Sequence, residues 1–199
     1  MARFTKILKN KAMKKLATDK KIHELAYRRS KKKFDLYKKR LLTQFTSHPI
    51  TKEIEAGPDA SNSSETIAGS GNLFSFIGFN YSDRPIAPIW SLLNSGVSLL
   101  KSKPNIRKTK NRVYISYRIN IPTEEQFTSV SKMPWETGSW LYRIERGISG
   151  IGHYMFENYI RASRSRTGIQ VDGKMRQGMY KRTSYISAIL NTFRKGVSK

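Results

Sequence analysis

The sequence predicts an α+β chain with a long basic N-terminal helix and a second helix near the C-terminus. Three segments carry that reading. In residues 20–45, Ile22, Ala26, Tyr37, Leu41 and Phe45 recur at the spacing of one helical face, with Leu25 and Phe34 alongside. In residues 113–121, Val113, Ile115, Tyr117, Ile119 and Ile121 alternate strictly with Tyr114, Ser116, Arg118 and Asn120, the pattern of a strand with one core face. In residues 183–194, Tyr185, Ile186, Ile189, Leu190 and Phe193 return to helical spacing, with Thr183 or Ser184 placed to cap the start and Gly196 to follow the end.

Charge is unevenly spread. Residues 1–45 carry sixteen Lys and Arg against three acids, a net +13, and residues 1–18 carry no acid. The other 154 residues carry 22 basic against 11 acidic side chains, a net +11. A free globular domain gains nothing from such self-repulsion, so the basic segment is expected to lie against nucleic acid, an anionic membrane or an acidic protein face. An assembly component is expected before an enzyme.

Composition removes several classes. Cysteine is absent, so disulfides, thiolate zinc sites and cysteine nucleophiles are excluded. No apolar run approaches a membrane span, and no secretory signal pattern opens the chain. The basic, acid-free start around Phe4, Ile7 and Leu8 is somewhat like a mitochondrial presequence, but it lacks Ser and its basic character runs on too far.

Lys31, Lys32, Lys33, Lys38, Lys39 and Arg40 fill most of the polar side of the first helix, almost without i,i+4 acidic partners. His48-Pro49 ends it, because a residue before proline is pushed out of the helical region. Residues 57–71 are rich in Gly, Ser, Asn and Pro and read as a linker, giving three parts: a basic helical arm (1–47), a linker (48–72) and an α+β body (73–199). Residues 73–79 form a short apolar run, and residues 85–100 suit a buried helix opened by Asp83 and the prolines, with Asn94-Ser95-Gly96 placed to end it early. A second basic block, Lys101, Lys103, Arg107, Lys108, Lys110 and Arg112, reads as an exposed loop around Pro104-Asn105. Thr123 followed by Glu124, Glu125 and Gln126 marks a helix start. Three glycines within residues 147–152 make a continuous helix over residues 140–156 costly, so a strand, bend or broken helix is expected there. A third basic region follows from Arg161 to Arg182, with Asp172 its single acid.

No catalytic set emerges. Gly168, Gly173 and Lys174 fit a phosphate-loop spacing, but Met175 stands where a hydroxyl is needed and no apolar strand precedes. Gly69-Ser70-Gly71 has Phe74 in place of a third fingerprint glycine. His23, His48 and His153 lack ligand spacing, and carboxylates are too few to assemble an acid/base pair readily. No cofactor or metal is expected. Ser163-Arg164-Ser165-Arg166 is a weak phosphorylation signal. Tyr27, Phe34 and Tyr37 sit among lysines, either as a packing face or as stacking residues for single-stranded nucleic acid. No module for reading base edges is recognisable, so any nucleic acid is expected to be held by its phosphates.

His-Pro-Ile-Thr-Lys-Glu-Ile (48–54), Gly-Asn-Leu-Phe-Ser-Phe-Ile-Gly-Phe (71–79), Ile-Glu-Arg-Gly-Ile-Ser-Gly-Ile-Gly (144–152) and Ser-Arg-Ser-Arg-Thr-Gly-Ile-Gln (163–170) resemble segments of tailed-bacteriophage virion structural proteins. Within that group the likeness is to small neck, head–tail joining or tail-completion proteins, over roughly residues 48–195. The resemblance implies an α+β subunit with helices on a small antiparallel sheet, repeated as a homo-oligomeric ring in the virion beside portal, connector or tail proteins. Enclosed DNA would give the arm a target. The first forty residues match no tail-completion pattern, so the role of the arm rests on charge. A ribosomal or mitochondrial-ribosomal RNA-binding protein is the alternative that explains the charge and the arm equally well. The residues expected to contact nucleic acid or an acidic partner are Lys14, Lys15, Lys20, Lys21, Arg28, Arg29, Lys31, Lys32, Lys33, Lys38, Lys39, Arg40, Lys108, Lys110, Arg164 and Arg166; no membrane partner is expected.

Overall fold

A computed structural model describes residues 11–67, 71–102, 104–109, 112–134, 137–146, 153–156, 169–172 and 183–198. The chain divides into two compact units: residues 1–39 with 97–121, and residues 40–96 with 122–199. The class is α+β, with a long N-terminal helix and a C-terminal helix.

Unit 1 begins with a helical stretch at residues 11–18 (α1) and continues with α2 (Lys20–Ser47), whose last two turns belong to unit 2. Asp19 separates the two helices and caps the second, its Oδ1 accepting the Lys21 N–H at 2.8 Å. The His23 ring donates from Nε2 to the Ala17 carbonyl at 2.9 Å, tying the start of α2 to the end of α1. Residues 97–121 form an antiparallel ribbon. Here β1 (Ser98–Leu99) pairs with β4 (Ile119–Asn120), and β2 (Asn105–Lys108) pairs with β3 (Val113–Ser116) in the register Ile106↔Ile115 and Arg107↔Tyr114. The Thr109 N–H donates to the Arg112 carbonyl at 2.8 Å and closes the tip.

The alternation read from the sequence is present. Val113, Ile115, Tyr117 and Ile119 are half-buried, while Tyr114, Ser116, Arg118 and Asn120 are exposed. The ladder breaks at Tyr117 and Arg118, so one expected strand becomes two. Tyr117 engages α2 instead. Its hydroxyl donates to the His23 carbonyl at 2.7 Å, and its ring meets Tyr27 edge-on at 5.2 Å.

Unit 2 contains α3 (Pro49–Ala56), α4 (Leu73–Ile77), α5 (Ile86–Gly96), α6 (Glu124–Val130), α7 (Trp140–Arg146), the antiparallel pair β5 (His153–Phe156) and β6 (Ile169–Asp172), and α8 (Ile186–Ser198). Its core gathers Leu41, Phe45, Ile50, Ile54, Phe74, Ile89, Leu93, Trp140, Ile144, Tyr185 and Phe193. Phe79 links Phe74 to Trp140, with ring centroids 5.3 and 5.8 Å away. Tyr185 stacks on Phe45 at 5.9 Å and shares a hydrogen bond with the Thr51 hydroxyl. Burial pushes the Tyr185 phenol far above its usual range.

Polar groups fix the chain between α3 and α4. Glu53 is 1% exposed, and its carboxylate accepts the Leu73 N–H at 2.7 Å and the Ser64 N–H at 2.8 Å. Asn72 caps α4 by accepting the Ser75 N–H at 2.9 Å, and its amide donates to the carbonyls of Pro58 and Ala60. Gly78 ends α4 in the left-handed region, at φ 85°, which a side chain would disfavour. At Gly96, a Cβ would come within 2.7 Å of Pro122 Cγ, so only glycine lets these segments meet.

Several expectations are corrected. Residues 48–72 are not a plain linker: Pro49 at the first helical position and the His48 cap start α3, whose Ile50 and Ile54 are buried. The basic block around Pro104-Asn105 is a strand rather than a loop, and it joins the N-terminal helix in unit 1 instead of the body. Asp83 does not open α5; its Oδ2 accepts the Asn80 N–H at 2.7 Å and closes a preceding turn. Gly196 lies buried inside α8 rather than beyond it. The N–H groups of Tyr185 and Ser187 at the start of α8 donate to Glu145 Oε1, so an acid on α7 acts as the cap where Thr183 or Ser184 was expected. The small antiparallel pairing implied by the resemblance is present, as three two-stranded pairs among the described residues. The capping box is as expected: Thr123 accepts the Gln126 N–H, and the Gln126 side chain accepts the Thr123 N–H. The glycines at 147, 150 and 152 and the Ser163–Arg166 motif lie outside the described residues.

His48 makes stability pH-dependent. Its Nδ1 accepts the Ile50 N–H at 3.3 Å and must be unprotonated to do so, and burial lowers its pKa below the ordinary 6.5. The folded pKa is depressed, so the neutral ring stabilises the fold fully above about 6.5, and this contribution is lost as pH falls through the folded value. His48→Asn keeps a capping side chain without a titrating group. Thermal unfolding at pH 7.5, 6 and 5 should show the wild type losing stability faster than this variant; parallel profiles would contradict the assignment.

Candidate nucleic-acid interface

The two units differ in charge far more than the arm and body differ in sequence. Unit 1 holds twenty-two Lys and Arg against three acids, and unit 2 holds sixteen against eleven. Nineteen of the 24 net positive charges therefore belong to unit 1. Its three acids all serve local structure. Asp19 caps α2, Glu24 accepts from Arg28 at 2.8 Å, and Asp35 accepts from Lys31 at 2.8 Å. Both ion pairs are exposed i,i+4 pairs, which contribute little and leave the surplus charge intact. The Asp35 hydrogen bond raises the Lys31 pKa.

Helical geometry sorts the α2 side chains. Ile22, Ala26, Tyr27, Phe34, Tyr37, Leu41 and Phe45 form the covered stripe. On the opposite side Lys21, Arg28, Lys32 and Lys39, separated by seven, four and seven residues, fall on one exposed line. At 1.5 Å per residue that line extends about 27 Å. Arg29 lies beside it, and so do the exposed Leu25 and Leu36. The ribbon adds Lys101, Arg107, Lys108, Arg112 and Arg118, all exposed, and residues 97–121 contain no acid. The Lys101 ammonium stands 5.9 Å from the Tyr27 ring centre, a cation–π contact at the root of the ribbon.

The expected contact residues fall as follows. Lys14 and Lys15 are exposed on α1; Lys20, Lys21, Arg28, Arg29, Lys31, Lys32 and Lys39 are exposed on α2; Lys33 and Lys38 are half-buried there. Lys108 is exposed on β2, in the same unit. Arg40 is exposed but belongs to unit 2. Lys110, Arg164 and Arg166 lie outside the described residues. Lys101, Arg107, Arg112 and Arg118 were not among the expected contacts, although the acid-free run that contains them is visible in the sequence. Tyr27 and Phe34 are occupied in packing, which decides between packing and stacking for those two rings.

Unit 2 offers a cleft of about 300 Å³ lined by Ile54, Glu55, Asp83, Arg84, Ile86 and Trp90, among others. The Asp83 carboxylate is already engaged by Asn80. Among the described residues no group of three His, Cys, Asp or Glu side chains could hold a metal ion, and no helix is long and apolar enough to cross a membrane. No protein-family model, curated protein or solved structure matches the chain. What the geometry offers chemically is a display of cations on a helix and a ribbon, suited to a polyanion.

The Tyr117 hydroxyl joins ribbon to helix within unit 1 by a hydrogen bond. Tyr117→Phe keeps the ring against Tyr27 and deletes that bond, leaving the His23 carbonyl without this donor. A loss of about 1 kcal/mol is expected in denaturant unfolding, with faster amide exchange in residues 97–121. Unchanged exchange there would show that the bond does not hold the ribbon.

Proposed function

We propose that the chain is a non-enzymatic structural subunit of a virion neck or tail-completion assembly, and that unit 1 holds nucleic-acid phosphates. The concentration of twenty-two basic and three acidic side chains in one compact unit carries this reading. Such a unit is stabilised by a polyanion that supplies the counter-charge its own sequence withholds. The four stretches that resemble phage neck and tail-completion proteins all fall in unit 2. Division of labour follows: unit 2 forms the assembly contacts of the subunit, and unit 1 meets DNA. Phosphates are the contact because lysines and arginines on an exposed helical line follow backbone charge without reading bases.

The test is the salt dependence of binding to random-sequence duplex DNA. Replacing Lys21, Lys32 and Lys39 by Gln should flatten the log–log slope by roughly two to three, near 0.9 for each lost phosphate contact. The same change at Lys52, Lys132 and Lys195 of unit 2 should leave the slope alone. An unchanged slope for the first variant, together with defective particle assembly, would move the basic line from DNA to an acidic protein neighbour.

A further inference from the structure

The ribbon presents a second feature besides charge. Cross-strand register places Arg107 opposite Tyr114 and Asn105 opposite Ser116. Directly opposed side chains share a face, with Cβ atoms roughly 5 Å apart. Arg112 and Arg118 flank β3 on either side and are exposed like Tyr114 and Ser116. The ribbon therefore presents an exposed aromatic ring opposite Arg107, with exposed Arg112 and Arg118 flanking its strand.

Tyr114 is unlike the other aromatics of unit 1. Tyr27 and Tyr117 pack on each other, and Phe34 is buried. Tyr114 is 48% exposed, and among the described residues neither a hydrogen bond nor a ring contact engages its side chain. Arg107, Arg112 and Arg118 have no ion pair among the described residues. An exposed ring beside unpaired guanidinium groups is the arrangement that holds an unpaired nucleotide. The base stacks on the ring, and the guanidinium groups take the flanking phosphates. In an intact duplex both faces of each base are already covered, so the ring has no equivalent partner there.

We propose that the outer face of the β2–β3 ribbon is a binding site for single-stranded nucleic acid, with Tyr114 as the stacking residue and Arg107, Arg112 and Arg118 as phosphate contacts. The inference rests on the polyanion reading of unit 1 and adds to its phosphate contacts a site for unpaired bases. It also adds a contact that carries no charge.

The full chain should be titrated with a 16-nucleotide oligo-dT and with a duplex of the same length at one fixed salt concentration, then across a salt series. Tyr114→Leu keeps an apolar side chain on the ribbon and removes the π face, while Tyr114→Phe keeps that face and loses only the hydroxyl. The Leu variant should bind oligo-dT roughly tenfold or more weakly, with the salt slope and the duplex affinity unchanged. The Phe variant should bind both probes like the wild type. Arg107→Gln with Arg112→Gln should instead flatten the oligo-dT slope, by roughly 0.7 for each contact. Equal loss on both probes for Tyr114→Leu, or no loss on either, overturns the stacking site and leaves the phosphate reading standing. Failure of the wild type to bind either probe overturns both. Circular dichroism melts of the variants separate lost binding from lost folding.

Discussion

Unit 1 must hold nineteen net positive charges together with little help from its own acids. Like-charge repulsion is the constraint to which the rest of this half of the molecule answers. Physiological salt damps it beyond about 8 Å but not between neighbouring side chains. Several opposing forces can be named. The covered stripe of α2 supplies apolar burial, Asp19 fixes the junction with α1, and Tyr117 joins the ribbon to the helix through Tyr27 and the His23 carbonyl. Many of the cations lie on the exposed line of the helix and on exposed positions of the two-stranded ribbon. A bound polyanion would convert the same repulsion into attraction, so this surface is best matched to an anionic ligand.

Unit 2 follows different rules. Its aromatic and aliphatic core needs no counter-ion, and its polar groups act as internal fasteners. Glu53 is the clearest case. A carboxylate taken out of water is costly unless it is hydrogen-bonded, and here two backbone N–H groups, from Ser64 and Leu73, fill that need. Glu145 does the same for the Tyr185 and Ser187 amides at the start of α8. Glu53 and Glu145 thus serve as anchor and cap among the eleven acids of unit 2, whereas unit 1 has only three acids. This difference supports a DNA-facing unit and an assembly-forming unit within one subunit, as proposed.

Local elements were legible in the sequence wherever a period or a cap declared them. The apolar stripe of α2, the alternation around Ile115, the Thr123–Gln126 box and the break at His48-Pro49 all rest on interactions within a few residues. Long-range fasteners were not legible. Glu53 reads as one more surface acid until its distant amide partners are known, and Glu145 does not announce that it caps another helix. The contact surface was half visible. Charge runs mark Lys21 to Lys39 and Lys101 to Arg112, but a run of lysines carries no pairing signal that would join the two. Tyr117 and Lys101, through His23 and Tyr27, bring the second run into the unit of the first, and the β2–β3 register sets Arg107 against Tyr114.

The most direct measurement is lysine footprinting of the full chain with and without DNA, read residue by residue from the rate of acetylation. Slowed modification of Lys21, Lys32, Lys39 and Lys108, with Lys52, Lys132 and Lys195 reacting at their original rates, is the result expected of a DNA-binding unit 1. Equal protection across both units, or protection confined to the lysines of unit 2, would contradict it.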